Sequence, residues 1–232
     1  MPESTSWHPV VAARELRAGQ NIVSALVQGQ ELALWRSDRG EPQAWENRCP
    51  HRGVRLTLGR LQNGRLACGY HGWEYAAGSG RCEVIPALPN IAVPGKVCVK
   101  TYSAVETQGM VWVRLDADEA HDQTASAQAV PPGLSPVAPG LFCRSLAIRA
   151  ALDPVHAVLA KNGFAHQAPA VWRGRLAGLP VLVYILCANT ALSLLHLWWA
   201  APDGDTPPAA LFAAARRLRA DLEAAALILK TA

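Results

Sequence analysis

Residues 49–73 read CPHRGVRLTLGRLQNGRLACGYHGW, and the spacing inside this stretch decides what the chain is built around. A C-x-H is followed by a gap of sixteen residues and then a C-x-x-H. Cys49 and His51 form one tight group, and Cys68 and His71 form the other. Two thiolates and two imidazoles suit either zinc or an iron–sulfur cluster. Zinc fingers usually keep both Cys in one arm and both His in the other, with a helix carrying the histidines. Here each arm holds one Cys and one His, at a turn in β-rich sequence. That order lets the two thiolates hold one iron and the two imidazoles hold a second.

The sequence around these arms is read in short apolar runs. NIVSALV, ELALWRS before Asp38-Arg39-Gly40, RLAC after Asn63-Gly64, KVCVKTYSAVE and GMVWVRLD alternate and are separated by turn residues. They predict an antiparallel all-β domain over residues 1–116. Residues 117–140, rich in Ala, Pro and Gly, are expected to be a linker. Residues 141–232 predict an α+β domain. LFCRSLAIRA, VLVYILCA and ALSLLHLWWAA read as strands, the last two around Asn189-Thr190, and Asp153 to about Lys161 as a short helix. A second helix is expected from Thr206 as N-cap with Pro207 in its first turn. Leu211, Phe212, Ala215, Leu218 and Leu222 would form its buried stripe. The fold class expected for the whole chain is α+β.

Composition narrows the function classes. Half of the 232 residues are hydrophobic and 17% are charged, as in a packed globular protein. The net charge of +4 is small and spread out, and no Lys/Arg run is interleaved with aromatics, so a nucleic-acid surface is not expected. Nothing in MPESTSWHPVVAARELRAG reads as a secretory signal, which favours a cytoplasmic setting where clustered cysteines bind metal. The uncharged run between Arg175 and Asp203 is long enough to span a bilayer. Pro180, Asn189 and His196 interrupt it, however, and two buried strands are expected instead of a membrane segment. His8 and His121 are read as surface or loop residues and His196 as a core histidine. Trp73 and Trp112 are read as β-core packing, and Cys82 and Cys98 as small buried residues without a cluster role.

The stretch NRCPHRGVRLTLGRLQNGRLACGYHGWEYAAGSGRCEVIPALP resembles the Rieske domain of the ring-hydroxylating and demethylating oxygenases. The resemblance extends over residues 7–116, from WHPV to GMVWVRLD. Arg52, Tyr70, Gly72 and Trp73 resemble the oxygenase branch. The respiratory branch adds a disulfide between the cluster loops, and the corresponding positions here are Arg52, Gly53, Gly69 and Tyr70. The resemblance implies a [2Fe–2S] cluster on Cys49, His51, Cys68 and His71, with the histidines as the exit for electrons. Replacing two Cys by His raises the potential above that of an all-Cys cluster. Gly69 and Gly72 would let the loop backbone approach the cluster. A ferredoxin or flavin reductase is the implied electron donor, and a homotrimer or association with a complete oxygenase subunit the implied assembly.

In this family the α subunit passes the electron to a mononuclear Fe(II) held by two His and one carboxylate. The first part of that site reads D-x-x-H-x4-H, its Asp bridging toward a cluster histidine of an adjacent subunit. Asp153 and His156 match the first half, and Lys161 stands where the second His belongs. An ammonium cannot ligate iron unless deprotonated. His166 is a substitute only if the chain bends around Asn162-Gly163. Asp221 and Glu223 are read as solvated carboxylates of the last helix, and the catalytic domain as shortened or degenerate. Two functions follow as expectations. One is an oxygenase component catalysing O2-dependent hydroxylation or demethylation of aromatic or apolar substrates. The other is an electron-transfer or regulatory Rieske protein lacking a functional mononuclear iron site.

Overall fold

The structure is a computed structural model that describes residues 7–115, 140–200 and 206–231. Apart from Gly140, the expected linker lies outside the described residues, as does His121. The first part is all β. A six-stranded antiparallel sheet has the order β1-β10-β9-β4-β3-β2. Its strands are β1 (Trp7–Ala12), β2 (Val23–Val27), β3 (Gln30–Arg36), β4 (Pro42–Glu46), β9 (Thr101–Thr107) and β10 (Met110–Arg114). A smaller antiparallel sheet is built in chain order from β5 (Arg60–Gln62), β6 (Arg65–Ala67), β7 (Glu74–Ala76) and β8 (Cys82–Val84).

Tight turns close these hairpins. Asn63 and Gly64 take φ of 51° and 70° between β5 and β6, and Gln108 and Gly109 take 51° and 71° between β9 and β10. Two successive left-handed residues give the turn twist that matches paired strands, which is why Asn-Gly marks the hairpin in the sequence. Gln108-Gly109 carries the weaker form of the same signal.

The second part is a five-stranded antiparallel sheet in the order β11-β15-β14-β13-β12. Its strands are β11 (Leu141–Ile148), β12 (Ala165–Ala168), β13 (Val171–Leu176), β14 (Leu179–Asn189) and β15 (Leu192–Trp199). Two helices pack on it, α1 (Leu152–Lys161) and α2 (Ala209–Thr231). Val183 and Ile185 of β14 pack with Val155, Leu159, Leu211, Leu218 and Leu222 of the helices. Their neighbours Tyr184 and Leu186 point the other way. Tyr184 packs with Trp7 and Trp112, and Leu186 with Val11 and Val27. Successive side chains of a strand face opposite sides, so β14 is apolar throughout because both its faces are covered. The uncharged run is thus two buried strands, as expected, and no helix among the described residues is long and apolar enough to cross a membrane.

The joint between the two parts is also hydrogen-bonded. Backbone N–H groups of Gln28 and Gly29 donate to the carbonyls of Cys187 and Ala188, at 2.8 and 2.7 Å. The Tyr184 hydroxyl donates to Gln108 Oε1 at 2.8 Å.

Three expectations need correction. The last helix begins at Ala209, not after Thr206. Pro208 disfavours helical geometry at Pro207, so the helix starts only beyond the second proline. In its apolar stripe Leu211, Ala215, Leu218 and Leu222 are buried as expected, whereas Phe212 is half-buried. His8 is not a surface or loop residue, since it lies half-buried in β1, paired with Val113. Burial lowers its pKa.

Candidate metal centre

The two arms of the motif become two loops of the same construction. In the first, between β4 and a 3-10 turn at Leu56–Leu58, the Cys49 N–H donates to the Val54 carbonyl at 2.8 Å. The Gly53 N–H donates back to the Cys49 carbonyl at 2.8 Å. In the second, between β6 and β7, Cys68 N–H reaches the Trp73 carbonyl at 2.8 Å and Gly72 N–H reaches the Cys68 carbonyl at 3.0 Å. Each loop therefore closes from Cys to the residue five further on, and each needs a left-handed residue four after its Cys. Gly53 and Gly72 supply it, with φ of 74° and 70°.

Glycines also press the loops together. A Cβ on Gly69 would overlap the carbonyl oxygen of Leu58, and one on Gly59 would overlap that of Ala67. Gly69 thus serves loop-to-loop packing.

These loops bring the four motif side chains to one end of the β domain. Cys49 and Cys68 are buried, His51 is half-buried and His71 is exposed. Nδ1 of His51 lies 3.1 Å from Nδ1 of His71. Trp73 stacks on the His51 ring, with centroids 4.1 Å apart and planes 5° apart. Tyr70 stacks on His71 at 3.8 Å. Trp73 is accordingly more than the core filler expected of it, whereas Trp112 is a buried core residue. Behind the cysteines the Tyr75 hydroxyl lies 3.1 Å from Cys49 Sγ. Tyr75, two residues beyond the Cys/His stretch, is not marked by the sequence, because tyrosine in a strand ordinarily signals packing alone.

Electrostatics divide the site in the same way. Burial pushes the Cys68 thiol up, and the backbone N–H groups of Tyr70 and His71 oppose that shift by favouring the thiolate. Tyr75 is raised by burial and then by its bond to Cys49, so its proton stays on the oxygen as a donor. His51 is lowered by loss of hydration and by the charges of His71 and Arg52. Cys82, raised to about 11 by burial, is a small buried thiol as expected. Cys98 is only half-buried and lines a groove of about 310 Å³ beside the first loop. All six cysteines are free.

The donor set fits a two-metal cluster. For two imidazole nitrogens on one tetrahedral metal, bonds of about 2.1 Å put the nitrogens about 3.4 Å apart. The 3.1 Å between the histidines is close to that separation. Among the described residues no three His, Cys, Asp or Glu converge on a single point. A site in which each metal takes two protein ligands does not need such convergence.

The second predicted site is assembled differently. The chain does bend at Asn162-Gly163, Gly163 having φ of 75°. His156 of α1 and His166 of β12 both face Trp172, at 5.5 and 5.1 Å between ring centroids. The pKa of His156 is lowered by burial and by His166, with Asp153 opposing. Asp153 and Lys161 are exposed at the two ends of α1. Asp153, His156 and His166 share a neighbourhood without forming a three-ligand group. Glu223 accepts from the Arg149 N–H at 3.2 Å and pairs with Arg219, while Asp221 is exposed. His196 is a core histidine, bonded through Nδ1 to Ser145 Oγ at 2.8 Å. No described hydrogen bond or ion pair joins Asp153 to His51 or His71.

A family model described as the Rieske [2Fe–2S] domain matches residues 6–103. These residues are a Rieske [2Fe–2S] domain. Over this domain the chain is 42% identical to the oxidoreductase NdmD of Pseudomonas putida across 109 residues, 47% of this chain and 18% of that one. It is 39% identical to the 3-chlorobenzoate-3,4-dioxygenase oxygenase subunit of Comamonas testosteroni, across 46% of this chain and 25% of that one. It is 35% identical to the methylxanthine N1-demethylase NdmA of P. putida, across 48% and 32%. The matched stretch is thus a third or less of each relative.

The fold likeness runs further than the Rieske domain. The solved structure of NdmA from P. putida CBB5 has a TM-score of 0.66 at 18% identity, covering 99% of this chain and 82% of that one. Dicamba monooxygenase with non-heme iron and dicamba gives 0.64 at 17%, covering 84% and 75%. The α+β part therefore shares the fold of Rieske oxygenases. An α+β chain with an N-terminal β Rieske domain was expected, and so was a [2Fe–2S] cofactor.

Proposed function

We propose that this chain is a one-electron carrier of the Rieske type, in which Cys49 and Cys68 hold one iron and His51 and His71 hold the other. The single observation that carries this reading is the arrangement of the four side chains, thiols buried and imidazoles at the surface with Nδ1 atoms 3.1 Å apart. When bound, the cluster would accept and release one electron, its imidazole ligands setting a higher potential than four thiolates would. The protein's own residues do the rest. Tyr75 and the Tyr70 and His71 backbone N–H groups donate toward the thiolates. Trp73 and Tyr70 hold the two imidazole rings by stacking. His71, the more exposed ring, is the side on which a partner exchanges electrons.

Donors named by this reading are a ferredoxin or a flavin reductase, and the acceptor is a complete oxygenase subunit. The alternative is oxygenation by this chain, hydroxylating or demethylating an apolar substrate at an iron held by His156. Lys161 in the second histidine's position, with Asp153, His156 and His166 not converging, favours electron transfer alone. Asp153 keeps a role only as a bridge toward a neighbouring subunit's cluster.

Anaerobically purified protein is expected to give a Rieske EPR signal on reduction. Cys68→Ala should abolish that signal, with the far-UV circular dichroism retained. Zinc without sulfide in the wild type, or an unchanged signal in Cys68→Ala, contradicts the assignment.

A further inference from the structure

Away from the metal centre, an open cavity of about 710 Å³ is lined by Arg14, Glu15, Arg17, Gln20 and Asn21. It lies at the other end of the six-stranded sheet. Strand β9 starts at Thr101, next to Lys100 in the groove of the first cluster loop. It ends at the Gln108-Gly109 turn, where the Gly109 carbonyl accepts from the Ala13 N–H at 2.7 Å.

The segment that carries these side chains is fixed by hydrogen bonds. Arg36 donates from Nε to the Leu16 carbonyl at 2.8 Å and from Nη2 to that of Ala13 at 3.1 Å. Asn21 accepts from the Arg17 N–H through Oδ1 and donates through Nδ2 to the Glu15 carbonyl, both at 2.8 Å. The Gln20 N–H closes a turn onto the Arg17 carbonyl at 3.2 Å, with Gly19 left-handed at φ of 67°. Leu16 is buried and anchors the segment in the sheet's core. On this held backbone Arg14, Glu15, Arg17 and Gln20 are exposed.

The guanidinium of Arg14 lies 4.7 Å from the Phe142 ring centroid of β11, so stacking across the joint between the two parts holds it. Neither Arg14 nor Arg17 has a carboxylate partner among the described residues. Guanidiniums on a fixed turn match the oxygens of a phosphate, which they bind through paired, charge-assisted N–H bonds. The Glu15 carboxylate only accepts hydrogen bonds, and an acid in this setting takes them from sugar hydroxyls. All five lining residues are polar, which disfavours an apolar ligand.

We propose that this cavity binds a sugar phosphate, with the phosphate on Arg14 and Arg17 and the hydroxyls on Glu15. Its volume falls in the range of small-ligand sites, about 300–1,000 Å³, and admits a free pentose phosphate or a nucleotide. The site stands independently of the electron-transfer reading, since none of its residues belongs to the cluster loops.

Titration calorimetry of the full, cluster-loaded chain at low salt tests it, with ribose 5-phosphate, AMP, ribose and sulfate as probes. Ribose 5-phosphate should bind, sulfate about tenfold more weakly, and ribose not at all. AMP binding tighter than ribose 5-phosphate identifies a nucleotide as the source of the sugar phosphate, and equal or weaker binding a free one. Arg14→Gln/Arg17→Gln should weaken ribose 5-phosphate by at least about tenfold, through loss of bonds to the charged phosphate. Glu15→Gln should weaken ribose 5-phosphate and leave sulfate no weaker, whereas Arg173→Gln on β13 should change neither. If the double variant is misfolded by circular dichroism, Arg17→Gln alone decides by the same loss, because that side chain forms no hydrogen bond or ion pair among the described residues. No binding of ribose 5-phosphate, sulfate binding as tightly, or full affinity in the folded arginine variant overturns the proposal.

Discussion

The Nδ1 atoms of His51 and His71 lie 3.1 Å apart, and the two rings come from loops of identical hydrogen-bonding pattern. Convergence of two lone pairs costs energy unless a proton or a metal lies between them. Glycines and aromatic rings hold them together. Gly53 and Gly72 take the left-handed geometry, and Trp73 and Tyr70 brace the rings. The same loops bury the cysteines beneath, so one end of the domain has a thiol floor and an imidazole roof.

Tyr75 tunes that floor. Its hydroxyl, 3.1 Å from Cys49 Sγ in a fully buried position, stabilises negative charge on the sulfur. The reduced centre carries one more negative charge and gains more from this bond. Tyr75→Phe should therefore lower the reduction potential by ~40 mV, taking about 1 kcal/mol for the bond in a one-electron couple. The cluster itself should remain bound. Redox titration followed by EPR checks this, and an unchanged potential would remove Tyr75 from the account.

Gly109 tests the joint between the two parts of the chain. It has φ of 71°, and a Cβ there would overlap the Trp198 ring of β15. Gly109→Ala adds backbone strain to a clash in a packed interface. The expected loss is about 2 kcal/mol, a fall in Tm of roughly 4–8 °C for a chain of this size. Calorimetry of the paired wild type and variant measures it.

His196 gives the fold an acid sensitivity. Burial lowers its pKa to about 4, against 6.5 in the unfolded chain. As pH falls below 6.5 the unfolded state takes up a proton that the native state refuses until about pH 4, so stability is lost across that window. The contribution is about 2 kcal/mol between pH 7.5 and pH 5. His8 and His156 are shifted in the same direction. His196→Asn, which keeps an acceptor for the Ser145 hydroxyl, should flatten the pH dependence of the unfolding free energy, read from urea titrations, by that amount. Identical slopes in the two proteins would show that His196 does not titrate as its burial requires.

Much of this was readable before the fold was known, for physical reasons. The C-x-H and C-x-x-H groups are local, and local spacing survives folding. Alternation marked the hairpins, and Asn63-Gly64 marked a turn whose geometry only such residues adopt easily. Helix α1 and strands β14 and β15 also follow the expected pattern. What was not readable depends on partners distant in sequence. β14 is apolar on both faces because helices cover one and the Rieske sheet the other, a contact no window of residues contains. Tyr75 meets Cys49 across 26 residues. His8 lies in a strand set by pairing with β10, and the Pro207-Pro208 pair delays α2.

The iron content of anaerobically purified, cluster-loaded protein tests the central claim most directly, with His156→Ala measured beside the wild type. Electron transfer alone predicts about two irons per chain in both, one pair on Cys49, Cys68, His51 and His71. A wild-type value near three, falling to two in His156→Ala, would contradict it and establish a working second iron site.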